Sequence, residues 1–259
     1  MAHIVVTGGN SRAAKDIVKV LLSHGHRITI LDLTPPIEKA KNVFFVECDL
    51  QRPEKFKEVV GKVIDGEFGK IEGIVNLARA PRSPGLIKSF TIDLLNEWKE
   101  TFAVQVFAPY FFSIEVAENI KNKNHLKSIV NFSSILSQYV SDAESASYHS
   151  SKAALESISR ILASGLGTSH VRVNTISPGY IENKAGSVSS SNSELIKETL
   201  GSIRIIDSNL EATDVGELVA FLISPEAKGI SGQVIVVDQG LGIRETLDAS
   251  IKATQRSRL

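Results

Sequence analysis

Cysteine is almost absent from this chain of 259 residues. A single one, Cys48, excludes an intrachain disulfide framework and any cysteine-rich metal site, and it fits a reducing, cytoplasmic setting. No metal site is expected. An excess of charge is missing too: 29 basic and 29 acidic residues cancel, which leaves no electrostatic case for nucleic acid or an anionic membrane as partner. No apolar run reaches the roughly 18 residues that a membrane span requires. The start, Met-Ala-His-Ile-Val-Val-Thr, lacks the basic region and long apolar stretch of a secretory leader. Linker-like composition shifts and internal repeats are lacking as well. The reading is one domain over residues 1–243, followed by a polar tail, 244–259.

What the chain does contain is an alternation of short apolar runs and helical patterns. The runs His3–Thr7, Arg27–Leu31, Val43–Val46, Ile71–Asn76, Ser128–Ser133, Val171–Ile176 and Gln233–Val237 read as seven buried strands. Helical spacing appears from Ala13 to Leu22, from Pro53 to Ile64, from Leu94 to Ile120, from Tyr148 to Leu166 and from Thr213 to Ile223. A further helical stretch is expected over 193–203, after a Ser-rich loop at 186–193 that could act as a lid. Pro109 is a fault inside the longest helix. The whole predicts an α/β fold: a single-domain, Rossmann-like, doubly wound parallel sheet of about seven strands with helices on both faces.

The stretch from Ser134 to Lys152 concentrates the chemistry. Tyr148 and Lys152 stand four residues apart, which places them on one helix face. A phenol ionises near pH 10, so proton transfer near pH 7 asks for a shift of about three units, or roughly 4 kcal/mol. A cation held beside the ring supplies part of that, and the Ser134 hydroxyl can polarise a substrate carbonyl. The second Tyr-x-x-x-Lys pair, Tyr180 to Lys184, follows a Pro-Gly turn and is read as coincidence. At the other end of the chain, Thr7-Gly8-Gly9-Asn10-Ser11-Arg12 joins the first strand to a helix, where a pyrophosphate would bind. Asp32 closes the second strand, suited to an adenosine ribose and repelling a 2′-phosphate.

In this order and spacing, the residues from about 2 to 241 resemble the short-chain dehydrogenase/reductase family, in its compact single-domain branch. The resemblance implies Ser134, Tyr148 and Lys152 as the catalytic set, with Gln105 where the family has a catalytic Asn that holds a water in the proton relay. It implies cofactor contacts from Thr7, Gly8, Gly9, Ser11 and Arg12, from Asp32, Asp49 and Leu50, and from Asn76 and Ala78. Tyr148, Lys152, Pro178, Gly179 and Ile181 complete that set. The implied cofactor is NAD, preferred over NADP. The implied partners are a small carbonyl or alcohol substrate and further copies of the chain, as a homodimer or homotetramer built on the long helix and the Tyr148 helix. Departures from the family pattern are Arg12 and Ala14 in place of two glycines, Arg79 in place of a third, Gln105, and Asn183 where Thr is common. Arg79, Arg82 and Arg204 hint at an anionic or sugar-like ligand. The expected activity is hydride transfer between nicotinamide and a secondary alcohol or ketone, with Tyr148 as acid and base. The alternative is a non-catalytic nucleotide-sensing or scaffold protein on the same fold.

Overall fold

The structure is a computed structural model that describes residues 2–36, 40–66, 68–120, 125–181, 199–201, 203–206, 208–243, 251 and 254. The Ser-rich loop, Asn183, Lys184 and nearly all of the tail lie outside the described residues.

Seven strands form one sheet in the order β3-β2-β1-β4-β5-β6-β7, with every neighbouring pair parallel. They are β1 (His3–Thr7), β2 (Arg27–Asp32), β3 (Val43–Glu47), β4 (Gly73–Asn76), β5 (Ser128–Phe132), β6 (Arg172–Pro178) and β7 (Val234–Val237). The helices are α1 (Arg12–Ser23), α2 (Phe56–Ile64), α3 (Ile92–Phe102), α4 (Ala108–Ile120), α5 (Ala146–Leu166) and α6 (Ala212–Ile223). The chain begins mid-sheet, winds to one edge, returns, and winds to the other. The reversal falls between β1 and β4, the place where such sheets open a crevice at their carboxyl ends.

Parallel strands covered on both faces must be apolar on both, which is why β1 and β5 are buried at every position. Alternate residues feed two cores. Ile4, Val6, Ile28, Val75 and Val130 face α1 and α6. Val5, Leu31, Ile74, Ile129 and Val173 face α2, α4 and α5.

The fault at Pro109 has a structural answer. Proline donates no hydrogen bond, and its ring presses on the carbonyl four residues back, that of Gln105. The helix meets this with a π turn over Ala103–Phe107, so the expected single helix is α3, a π turn and α4. Several strand ends also differ from expectation by one or two residues. β4 starts at Gly73 rather than Ile71, and β6 runs on to Pro178 because β7 pairs with it that far. Pro53 opens a 3-10 turn before α2 rather than the α-helix itself.

Candidate active site

A cavity of about 510 Å³ opens at the carboxyl ends of β1, β2 and β4. Gly8, Asn10, Ser11, Asp32, Asp49, Leu50, Ala78 and Arg79 are among its walls. Its floor is tight. Gly8 has φ of 67°, and a Cβ there would stand 2.5 Å from the Ala78 Cα. A Cβ on Gly9 would meet Ile30 at 2.8 Å. Thr7 lies behind this floor, its hydroxyl accepting from the Ala78 N–H at 3.5 Å. Asn76 is also behind the wall, where its amide donates to Asn131 at 2.7 Å.

Ser11 caps α1 by accepting from the Ala14 N–H at 3.3 Å. Arg12 is then the first residue of α1 and exposed. It is not among the non-glycine residues with positive φ, so a side chain is tolerated at this departure from the family's glycine. Asp32 receives the Asn10 N–H at 3.1 Å and the Leu33 N–H at 2.8 Å, which aims its carboxylate at the cleft. The Asp49 carboxylate accepts from the Gln51 N–H at 3.0 Å. A backbone that only glycine permits, a helix start facing the cleft and two carboxylates on one side fit a dinucleotide lying across the sheet. Pro178, Gly179 and Ile181 stand at the end of β6, beyond β4 and β5. The Gly179 N–H donates to Val237 at 2.9 Å.

The reactive side chains lie between these two ends. Ser145 caps α5 by accepting from the Tyr148 N–H at 3.2 Å, so the helix begins two residues before Tyr148. The Ser134 hydroxyl lies beside the Tyr148 phenol, near enough to act on its ionisation. Ser134 accepts the Leu136 N–H at 3.2 Å, which caps the short turn after β5 and fixes the serine side chain. Burial pushes the Tyr148 phenol above its ordinary value, while Arg79 and the Ser134 hydroxyl pull it back. The Lys152 ammonium lies 5.5 Å from the Tyr148 ring centroid and donates to the Phe132 carbonyl at 2.7 Å. Burial, with Arg79 nearby, lowers its pKa to about 7.

Lys152 thus stands by the Tyr148 ring as expected, and a second cation joins it. The Arg79 guanidinium carbon lies closer, 4.9 Å from the centroid. Arg79 also lines the cleft, so one side chain joins the cofactor end to the catalytic end. Gln105 sits in the π turn, which packs on α5. It is 1% exposed, and its Oε1 has no hydrogen-bond partner among the described residues.

Two carboxylates escaped the sequence reading. Glu156, buried on α5, accepts from the Ser133 and Ser137 hydroxyls, both at 2.6 Å. These serines flank Ser134, so Glu156 pins the turn that carries it. Its place four residues after Lys152, on a buried helix face, was the available signal, since a buried carboxylate demands partners. Glu144 accepts from Arg79 at 3.2 and 3.4 Å and lies 3.2 Å from Arg82. Nothing in the sequence linked residues 65 positions apart. His149, read as structural, bridges the Ser145 carbonyl and the Ser141 N–H, at 2.7 and 3.1 Å. Arg204 is buried and donates to the Ser208 carbonyl at 2.9 Å.

Comparison with known proteins agrees with this fold. A family model described as enoyl-(acyl carrier protein) reductase matches residues 11–242. The chain belongs to the short-chain dehydrogenase/reductase family, whose members are oxidoreductases. The short-chain dehydrogenase/reductase aba4 of Botryotinia fuckeliana (strain B05.10) is 32% identical over 254 residues, spanning 92% of this chain and 95% of the relative. Zerumbone synthase of Zingiber zerumbet is 26% identical, over 92% of this chain and 94% of its own. Among solved structures, a 4-hydroxyisoleucine dehydrogenase complexed with NADH superposes with a TM-score of 0.81 at 25% identity, covering 95% of this chain and all of the other. No helix among the described residues is long and apolar enough to cross a membrane.

Proposed function

We propose that this protein is an NAD-dependent oxidoreductase acting on a secondary alcohol or ketone, with Tyr148 as the acid and base. One observation carries the reading: a Tyr–Ser hydroxyl pair, with a cation over the Tyr ring, opens beside a glycine-floored cleft ended by a carboxylate. The nicotinamide, when bound, supplies or accepts the hydride. Everything else falls to the chain's own residues. Ser134 donates to the substrate oxygen and holds it against Tyr148. In the reducing direction Tyr148 gives its phenolic proton to that oxygen; in the oxidising direction it takes the proton back. Lys152, with its pKa lowered to about 7, can replace that proton or store it. The orphaned Oε1 of Gln105 suits a water on the same relay. Asp32 accepts ribose hydroxyls and repels a 2′-phosphate, which favours NAD over NADP.

The setting we propose is cytoplasmic, as a homodimer or homotetramer. Phe107 and Phe111 on the π turn and α4, and Ile161 on α5, are each close to half exposed, and a second copy would cover them.

Calorimetric titration with NADH and with NADPH tests the reading. NADH is expected to bind more tightly. Tyr148→Phe should keep NADH affinity and lose turnover by roughly a thousandfold across a panel of alcohols and ketones. Binding of neither nucleotide, or full turnover by Tyr148→Phe, overturns it.

A further inference from the structure

The loop between β4 and α3 brings two arginines onto one carboxylate. Arg79 donates through its terminal nitrogen to both Glu144 oxygens, and through Nε to the Ala80 carbonyl at 3.4 Å. Arg82 lies 3.2 Å from the same carboxylate and donates to the Ala143 carbonyl from two nitrogens, at 3.2 and 3.0 Å. The Glu144 side chain is 11% exposed; those of Arg79 and Arg82 are 40% and 61% exposed. The carboxylate is thus sunk beneath two partly exposed guanidiniums, and both arginines line the cleft.

The charge does not balance. Two permanent cations meet one anion, and Lys152 adds further positive character behind them. A single arginine would satisfy Glu144. The second is in excess of that carboxylate and is held by the Ala143 carbonyl, in a cleft whose other walls carry Asp32, Asp49 and Glu100. Arg79 is also fixed in position relative to the chemistry, since its guanidinium stacks over the Tyr148 ring. An anion that met Arg79 and Arg82 would lie within a few bonds of a carbon bonded to the oxygen at Tyr148.

Building on the oxidoreductase reading above, we infer that Arg79 and Arg82 form a carboxylate-recognition site, so that the substrate is a short hydroxy or oxo acid. Planar, bidentate contact with a carboxylate is what a guanidinium does better than an ammonium. Glu144 positions both arginines. The arginine pair lines the same cleft as the pyrophosphate position but is anchored from a different turn. The pyrophosphate position belongs to the Gly8–Ser11 turn, whereas the arginine pair is tied to the Ala143–Glu144 turn that precedes α5.

Three matched pairs of oxo compounds test this: pyruvate and pyruvamide, acetoacetate and acetoacetamide, levulinate and levulinamide. They step the carboxylate away from the carbonyl one carbon at a time. Each is titrated into NADH-saturated protein and into nucleotide-free protein. In at least one pair the acid should bind about tenfold more tightly than its amide, the scale of a charge-assisted contact. Arg79→Gln with Arg82→Gln should remove that preference while NADH affinity stays within a few-fold. Because the double variant leaves Glu144 unpaired, Arg79→Gln with Glu144→Gln provides a charge-balanced companion and should weaken the preference too. Equal binding of acid and amide in all three pairs, or a preference that survives the double variant, overturns the inference. A tenfold loss of NADH affinity in the double variant also overturns it, by assigning the arginines to the cofactor phosphates. Failure of the native protein to bind NADH would defeat the oxidoreductase reading instead. The nucleotide-free titration would still separate acid from amide.

Discussion

Gly8→Ala is the sharpest perturbation that the cleft floor offers. The residue has φ of 67°, a left-handed conformation that costs a residue bearing a Cβ about 1–2 kcal/mol. The added carbon would stand 2.5 Å from the Ala78 Cα and 2.9 Å from the Ala78 N and Cβ. Those are backbone atoms and a side chain with no rotamer, so β1 and the turn after β4 must part. Overpacking of this kind costs about 1–3 kcal/mol. Together the two effects come to roughly 2–5 kcal/mol, or a melting-temperature fall of about 5–15 °C for a chain of this size. Gly61→Ala is the internal control. That glycine lies in α2, and nothing stands within 4 Å of its would-be Cβ. There alanine should stabilise by up to about 1 kcal/mol. Urea and thermal melts of both variants read the difference, and an NADH titration should show Gly8→Ala binding poorly because its strain deforms the cleft. If Gly8→Ala melted within about 0.5 kcal/mol of the native protein, or no lower than Gly61→Ala, the tight-floor argument would be wrong.

Lys152→Met carries a pH signature. The lysine titrates near 10.5 when unfolded and at about 7 when folded. Between those values the unfolded chain holds more protons, so this group's contribution rises with pH and is least favourable below 7. The stability of Lys152→Met relative to the native protein should therefore be greatest near pH 6 and fall by at most about 5 kcal/mol by pH 10; a pH-independent difference refutes the shift. Cys48 is buried, and burial, with Asp49 and Asp32 close by, raises its thiol pKa to about 12. A thiol reagent at pH 8 should leave the folded protein unmodified and titrate one thiol after denaturation; rapid reaction of the native protein would contradict this. Asp32→Ala should narrow the gap between NADH and NADPH affinity by about tenfold, and an unchanged ratio in paired titrations would remove Asp32 from nucleotide choice.

The winding of the sheet was legible because a strand buried on both faces must be an unbroken apolar run, as in Ile4-Val5-Val6 and Ile129-Val130. The Tyr148–Lys152 pair was legible because helical spacing is local. Pairings between distant segments were not. Arg79 read as a departure from the family's glycine with no partner in view until Glu144 was seen beneath it, and Ser133 and Ser137 had no visible reason to converge on Glu156. Pro109 announced a fault, but not the π turn that resolves it. Strand ends moved by one or two residues because pairing with a neighbour, not composition, decides where a strand stops. Pro178 belongs to β6 only because β7 reaches it.

The amides of Asn76 and Asn131 face each other across β4 and β5, and Asn131 passes the chain on to Ser159 of α5 at 2.8 Å. A slip of one residue between these strands would drive both amides into opposite apolar faces and leave their hydrogen-bonding groups stranded. The ladder therefore works as a ratchet tooth for the sheet. Arg79 leaves β4 three residues after Asn76, and Ser134 leaves β5 three residues after Asn131. With the asparagines locked opposite one another, those two equal counts bring cation and hydroxyl to the same tyrosine.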